Sequence, residues 1–235
     1  MTQKLRVKVL TLFPEVFPST LGVSLSGKGL ENNIWSLEKI NIRDFGVSKH
    51  KIVDDDPFGG GNGMLMRPDV LGPALDHALE DMPDAKIIYP SPRGEKFNQQ
   101  LAYGLSQESE LIFICGRFEG IDERIIQYYN VAEISLGDFV LSGGEIPTIA
   151  MLDTIIRLLP GILTNQDTLI EESFSNFGKE DNNLLEYPQY TRPAIWRGIE
   201  VPSILRSGNH KLINNWKREK ALEITRKNRP DLINK

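Results

Sequence analysis

A single cysteine, Cys115, is all that the 235 residues contain. No internal disulfide can form and no zinc ribbon or finger can be assembled, so a reducing compartment is expected. The three histidines, His50, His77 and His210, are scattered without metal-ligand spacing. No apolar run approaches the ~20 residues that a membrane-spanning helix needs. The N-terminal apolar stretch is broken by Arg6 and Lys8 and ends at Pro14, too short and too charged for a signal sequence. These absences predict a cytoplasmic protein with no membrane partner. The phosphate-binding signatures are missing too. The run PFGGGNG (57–63) lacks the Gly-Lys-Ser/Thr ending of a P-loop, and no G-x-G-x-x-G opens a helix after a strand. ATP, GTP and NAD are therefore poorly supported as ligands. Asp54, Asp55 and Asp56 are consecutive, cannot all point at one ion, and are expected to form an acidic turn.

What is present is ordinary for a globular protein: 40% hydrophobic and 25% charged residues, with a net charge of −5. As a whole-chain sum that charge speaks against a nucleic-acid partner. Its distribution does not. Residues 191–235 hold 11 Lys+Arg against 4 Asp+Glu, a balance of +7, which leaves −12 for residues 1–190. A small basic module is joined to an acidic domain; a solvated helix surface is the competing explanation.

The pattern along the chain is α/β. Leu5 to Phe13 and Leu37 to Phe45 read as strands. From Asp69 to Met82 apolar residues recur at Leu71, Ala74, Leu75, Ala78 and Leu79, the spacing of one helix face, with Asp69 as candidate N-cap. A repeating beat follows. Strands at 86–89, 111–115 and 131–135 run into SPRG (91–94), GRFEG (116–120) and LGDFVLSGG (136–144), and the first two loops lead into helices. Short apolar strands alternating with helices predict a largely parallel sheet covered on both faces. Ile146 to Leu159 is apolar nearly all round, as in a helix buried in a domain or a subunit interface. Residues 164–183 read as a linker or mobile loop, and Arg192 to Lys235 as helical.

In open parallel sheets ligands bind beyond the carboxyl ends of the strands, where these three loops would converge. Gly116, Gly120, Gly137, Gly143 and Gly144 let backbone approach closely, and Leu136, Phe139 and Leu141 supply apolar walls. A flat, mostly neutral ligand such as a purine suits that composition.

The ordered segments DDDPFGGGNGMLM (54–66), SPRGEKF (91–97), CGRFEGIDER (115–124), SLGDFVLSGGE (135–145), RLLPG (157–161), ESF (172–174) and YPQYTRP (187–193) resemble the bacterial tRNA (guanine-N1)-methyltransferase family. The resemblance runs from the first strand to SGNH (207–210), nearly the whole chain. It implies the SPOUT fold, an α/β parallel sheet with a deep trefoil knot plus a small all-helical C-terminal domain, in a homodimer packed on the helix 146–159. It implies a catalytic domain over 1–163, a mobile linker over 164–176 and a basic tRNA-binding domain over 177–235. The implied reaction is methyl transfer from S-adenosylmethionine to N1 of guanosine 37 of tRNA, next to the anticodon. Tyr89, Pro90, Ser91, Pro92, Gly116, Glu119, Gly120, Leu136, Gly137, Asp138, Phe139, Val140, Leu141, Gly143, Gly144 and Pro147 would line the S-adenosylmethionine site. Arg192, Arg197, Arg206, Asn209, His210, Lys211, Lys217, Arg218 and Lys220 would meet the tRNA. Mg²⁺ is implied as a helper without a dedicated cage, held by carboxylates together with substrate groups.

The chemistry requires a base, because guanine N1 carries a proton, and a donor near O6, where negative charge grows as the proton leaves. The resemblance assigns Glu172 as base and Arg157 to O6. The family pattern here is Asp-Ser-Phe, so Glu172 lengthens the side chain by one methylene. Other departures are Asn62 for a small residue, Phe118 and Phe139 for tyrosines, and Gln189 for a histidine. Two rivals are a ribosomal-RNA methyltransferase of the same fold and a non-catalytic RNA-binding module.

Overall fold

The computed structural model describes residues 4–165, 169, 172–174 and 184–233. Most of the expected linker, including Glu171, lies outside the described residues, as does the 177–183 stretch. The chain divides into two compact units, Met1–Thr164 and Asn165–Lys235.

The first unit is built on a five-stranded sheet in which every neighbouring pair is parallel. Its strands are β1 (Leu5–Thr11), β2 (Trp35–Asn41), β5 (Lys86–Lys96), β6 (Glu110–Ile114) and β7 (Ala132–Ser135), in the order β2-β1-β6-β5-β7. Two short antiparallel strands, β3 (Asp54–Asp55) and β4 (Leu65–Met66), carry the glycine-rich loop between them. The helices are α1 (Ser24–Glu31), α2 (Pro68–Leu79), α3 (Gln99–Ser106), α4 (Glu123–Tyr128) and α5 (Glu145–Ile156). In the central strand β6, Leu111, Ile112, Phe113 and Ile114 are all fully buried, as expected where both sheet faces are covered. Leu71, Ala74, Leu75 and Ala78 of α2 pack in one cluster with Leu10, Ile40, Ile112 and Ile114. The spacing read from the sequence is the buried face of that helix.

Several expectations are corrected. Asp69 does not cap α2. Arg67 holds the N-cap position without a side-chain cap bond, and Pro68 starts the helix. The Asp69 carboxylate is instead gripped by the Arg67 guanidinium at 2.8 and 2.9 Å. The SPRG segment is not a loop after a short strand, since β5 continues through it to Lys96, with an irregular register between Pro90 and Glu95. Gly94 makes this work. A Cβ there would lie 2.3 Å from the Glu133 carbonyl carbon and the Ile134 amide nitrogen of β7. Strand β2 ends at Asn41, whose side chain caps a 3-10 turn over Ile42–Phe45.

Helix α1 carries no apolar stripe because the face it buries is Ser26, Gly27 and Gly29. A Cβ on Gly27 would lie 2.5 Å from Gly22 backbone, so close approach rather than hydrophobicity seats it. Helix α5 buries Pro147, Met151, Leu152, Ile155 and Ile156, while Ile146 stays 61% exposed.

In the second unit, the run from Arg192 is not helical throughout. Strands β8 (Ile195–Trp196) and β9 (Ile199–Glu200) form a hairpin, 3-10 turns cover Ser203–Arg206 and Pro230–Leu232, and His210–Asn228 is helix, α6. Asn209 caps α6 by accepting from the Leu212 amide at 3.2 Å. Thr225, fully buried, donates to the Ala221 carbonyl and accepts from the Leu185 amide at 2.9 Å. Ser173 accepts from the Glu186 amide at 2.9 Å, and Arg229 lies over the Phe174 ring at 5.9 Å. The segment 172–174 thus belongs to the packing of this unit.

At the amino end of the sheet, Lys8 is buried at 3% exposure. It donates to the Ala78 carbonyl at 3.1 Å, at the last turn of α2, and to the Asp81 carboxylate. Arg6 engages the same carboxylate. Replacing Lys8 with Met should cost about 1–3 kcal/mol in denaturant unfolding, because a buried carbonyl loses its donor. The Asp81 carboxyl is held below the ordinary range, first by the Lys8 hydrogen bond and then by the charges of Lys8 and Arg6, against some desolvation. A depressed folded-state value means stabilisation that is present above the unfolded pKa of ~3.9 and lost as pH falls through the folded one. Thermal melts of Asp81→Asn should therefore show a shallower loss of stability below about pH 4 than the parent chain.

Candidate functional site

The middle of β5 and the carboxyl ends of β6 and β7 open into a cavity of about 260 Å³. Its walls come from Tyr89 to Pro92 of β5, from Gly116 to Gly120 after β6, from Ser135 to Gly144 excepting Asp138, and from Pro147 of α5. The three segments that the sequence marked thus converge. Asp138 is the exception among the expected cofactor residues: its carboxylate pairs with Lys96 at 2.8 Å and is not part of the wall. Four wall residues were not anticipated as such, namely Arg117, Phe118, Ser135 and Ser142. They lie inside the recognised segments, but residue type alone gives no sign of which way a side chain in such a loop turns.

The glycines act by close approach. A Cβ on Gly116 would stand 2.6 Å from the Tyr89 ring, and one on Gly144 would stand 2.7 Å from the Cys115 Cα. The Gly144 amide donates to the Gly116 carbonyl at 2.9 Å, which joins the loop after β6 to the start of α5. Gly120 has φ +120°, a conformation that L side chains rarely adopt, and its carbonyl accepts from the Met66 amide at 3.0 Å. The Glu119 amide donates to the Met64 carbonyl at 3.0 Å, so the glycine-rich β3–β4 hairpin is pinned to the cavity rim.

An ion pair links the cavity wall to a buried carboxylate. Glu145, 2% exposed, accepts from the Thr11 hydroxyl at 2.7 Å at the end of β1 and meets Arg117 at 2.9 Å. Alignment at that distance is ionic rather than hydrogen-bonding, and Arg117 Nε has no hydrogen-bond partner among the described residues. The guanidinium also lies 4.4 Å from the Phe13 ring centroid and donates to the Ser142 carbonyl at 3.3 Å. One side chain therefore ties β1, the loop after β6 and the loop before α5. A Cβ on Gly143 would lie 2.4 Å from Arg117 Nε, so glycine at 143 makes room for it. Glu145 also begins α5, where negative charge suits the helix dipole.

Titratable groups around the site follow their surroundings. Burial raises the Tyr89 phenol above its ordinary value, helped by the charge of Glu133. Burial likewise drives the Cys115 thiol far up, which makes it a packing residue beside Thr148 rather than a nucleophile.

Arg157 occupies the C-cap of α5 and is half-buried. Glu172 is half-buried in the other unit. Of the residues expected to meet RNA, Arg192, Arg197, Arg206, Asn209, His210, Lys211 and Arg218 are exposed and Lys217 and Lys220 are half-buried. Asn209 uses its side-chain oxygen to cap α6, and Lys217 lies over the Tyr187 ring at 4.7 Å. Asp55 pairs with Arg67 at 2.6 Å. No group of three His, Cys, Asp or Glu residues among the described residues is placed to hold a metal ion. No helix among them is long and apolar enough to cross a membrane.

Comparison with known proteins gives the same answer along the whole chain. The profile of the family described as tRNA (Guanine-1)-methyltransferase TrmD matches residues 5–235. A tRNA (guanine-N(1)-)-methyltransferase of Rickettsia akari (strain Hartford) is 59% identical over 229 residues, covering 97% of each chain. The proteins of the same name from Rickettsia prowazekii (strain Madrid E) and Rickettsia typhi (strain ATCC VR-144 / Wilmington) are 59% and 58% identical, again with 97% coverage of each chain. With a match of this extent and similarity, the chain belongs to the tRNA (guanine-1)-methyltransferase TrmD family.

Proposed function

We propose that the chain methylates N1 of guanosine 37 in tRNA, beside the anticodon, with S-adenosylmethionine as the methyl donor. The observation that carries this reading is the cavity between the middle of β5 and the carboxyl ends of β6 and β7, walled by the residues that the sequence marked for the cofactor, Asp138 excepted. Its construction suits an adenosine. Backbone of Gly116, Gly120, Gly143 and Gly144 is bared because side chains there are excluded, and it can read the edge of a purine. Pro90, Leu136, Leu141 and Pro147 supply flat apolar walls.

Bound there, the cofactor supplies an electrophilic methyl on a sulfonium sulfur, which keeps the S–C bonding pair when N1 takes the methyl. The protein's task is to make N1 a nucleophile. The Glu172 carboxylate takes the N1 proton, which frees the lone pair that attacks. Arg157 stabilises the charge that develops on O6, a role for which a planar, permanently charged guanidinium is suited. The two groups belong to different units, so the reading requires both to reach one base.

The same reading carries a deep trefoil knot in the SPOUT catalytic domain and a homodimer packed on α5. The exposed Ile146 on that helix is in keeping with such a contact. Residues 177–235 form the tRNA-binding domain, joined by 164–176, and their basic side chains hold phosphates while bases are read by stacking and edge contacts. Mg²⁺ would be held by carboxylates together with substrate groups. The protein works in the cytoplasm, where its RNA is.

The direct test is methyl transfer to transcripts that differ only at position 37. Guanosine should accept one methyl and adenosine none; methylation of both, or of neither, overturns the reading. Glu172→Gln should lower single-turnover transfer by about 10²–10⁴-fold with cofactor affinity unchanged, and Arg157→Ala by about 10²–10³-fold. Alanine at Lys211, Lys217 and Arg218 should reduce the slope of log affinity for tRNA against log salt by about 1 for each phosphate contact removed.

A further inference from the structure

The hairpin β8–β9 exposes what a folded protein ordinarily covers. Its register pairs Trp196 with Ile199 and Ile195 with Glu200, so Trp196 and Ile199 stand together on one face and the acid stands on the other. The two apolar side chains are 58% and 67% exposed. They are joined by Arg197-Gly198, both at positive φ (50° and 78°), which is the backbone of a tight hairpin turn. That turn brings the Arg197 guanidinium over the indole, 4.8 Å from the ring. A two-stranded hairpin is only marginally stable alone, and no packing within this one accounts for an open indole at its tip.

Charge selects the occupant. Between residues 191 and 209 the charged side chains are Arg192, Arg197, Arg206 and Glu200, and Glu200 is on the far face. The whole of 191–235 carries +7. An indole that stays 58% exposed with a guanidinium over its ring, in a basic field, suits a polyanion with exposed aromatic rings. A second copy placing the same face against it would bring like-charged arginines together.

We propose that the Trp196–Ile199 face is a stacking platform for an unpaired base of the bound tRNA, with Arg197 meeting that nucleotide's phosphate. This rests on the reading of the chain as a tRNA-binding enzyme and adds a contact separate from the phosphate grip of α6. Stacking a base on an aromatic side chain is tolerant of sequence and insensitive to salt, unlike a phosphate contact.

The test uses the full-length chain and a tRNA transcript with guanosine at position 37. Trp196→Ala should weaken binding roughly 10- to 100-fold without changing the salt slope, while Trp196→Phe should stay within a few-fold of the parent. Arg197→Ala should reduce the slope by about 1. Where Trp196→Ala fails to fold, the fluorescence difference between the parent and Trp196→Phe isolates the Trp196 indole, and tRNA should quench it. Unchanged affinity in Trp196→Ala, or no quenching of that share, overturns the platform while parent binding leaves the enzyme reading intact. A parent chain that does not bind tRNA fails the enzyme reading itself. Halving of the light-scattering mass in Trp196→Ala would give the face to a second copy and overturn the proposal.

Discussion

The contact between the backbones of Gly116 and Gly144 governs the first unit. Their hydrogen bond of 2.9 Å draws the loop leaving the central strand β6 against the start of α5, at a separation where a Cβ on Gly144 would lie 2.7 Å from the Cys115 Cα. With that approach made, Glu145 falls beneath the loops at the end of β1, where it meets Thr11 and Arg117. Arg117 in turn reaches Phe13 and Ser142. A buried carboxylate at the start of α5 would be costly without its cation, and removing either partner would strand the other. The pair is therefore better understood as holding three loops in one arrangement than as a source of net stability.

The two ends of the parallel sheet serve different purposes. Toward the amino end, Lys8 and Arg6 converge on Asp81 and close the last turn of α2 against β1, contacts that hold elements together. At the carboxyl end, the strands give way to loops whose backbone is bared by glycine. Parallel strands place all their carboxyl ends on one edge, so loops far apart in sequence can share one ligand there. The second unit uses another economy. Its core is small, with Ala221 and Thr225 its buried helix positions, and much of its aromatic surface is open or stacked under cations, as with Trp196 and Arg197 or Tyr187 and Lys217.

Legibility varied for physical reasons. The strand β6 and the helix α2 were plain, because a run of buried apolar residues and a one-face spacing are direct consequences of how those elements are buried. Helix α1 was invisible, since Ser26, Gly27 and Gly29 pack by smallness, which leaves no apolar period. The continuation of β5 through Ser91, Pro92, Arg93 and Gly94 read as a turn because proline and glycine ordinarily break strands; Gly94 here permits a close approach to β7. The hairpin of four strand residues ahead of α6 lies below what periodicity resolves, so the helix expected from Arg192 begins only at His210. For the cavity, the glycine-rich loops were legible and the inward turn of Arg117 was not, because burying a cation depends on the carboxylate it meets, and Glu145 is far along the chain.

The sequence by itself determined the α/β alternation, the sites of glycine-dependent close approach, the division of charge between an acidic body and a basic tail, and, through its ordered segments, the family. Each of these is encoded in residue type and short-range spacing. Only the tertiary structure decided which strands neighbour one another, that Asp138 pairs with Lys96 outside the cavity wall, that Arg117 joins that wall while paired with Glu145, and that Trp196 is left open at a hairpin tip. Those outcomes depend on which distant groups a side chain meets, and burial, ion pairing and exposure have no meaning until the chain has closed on itself.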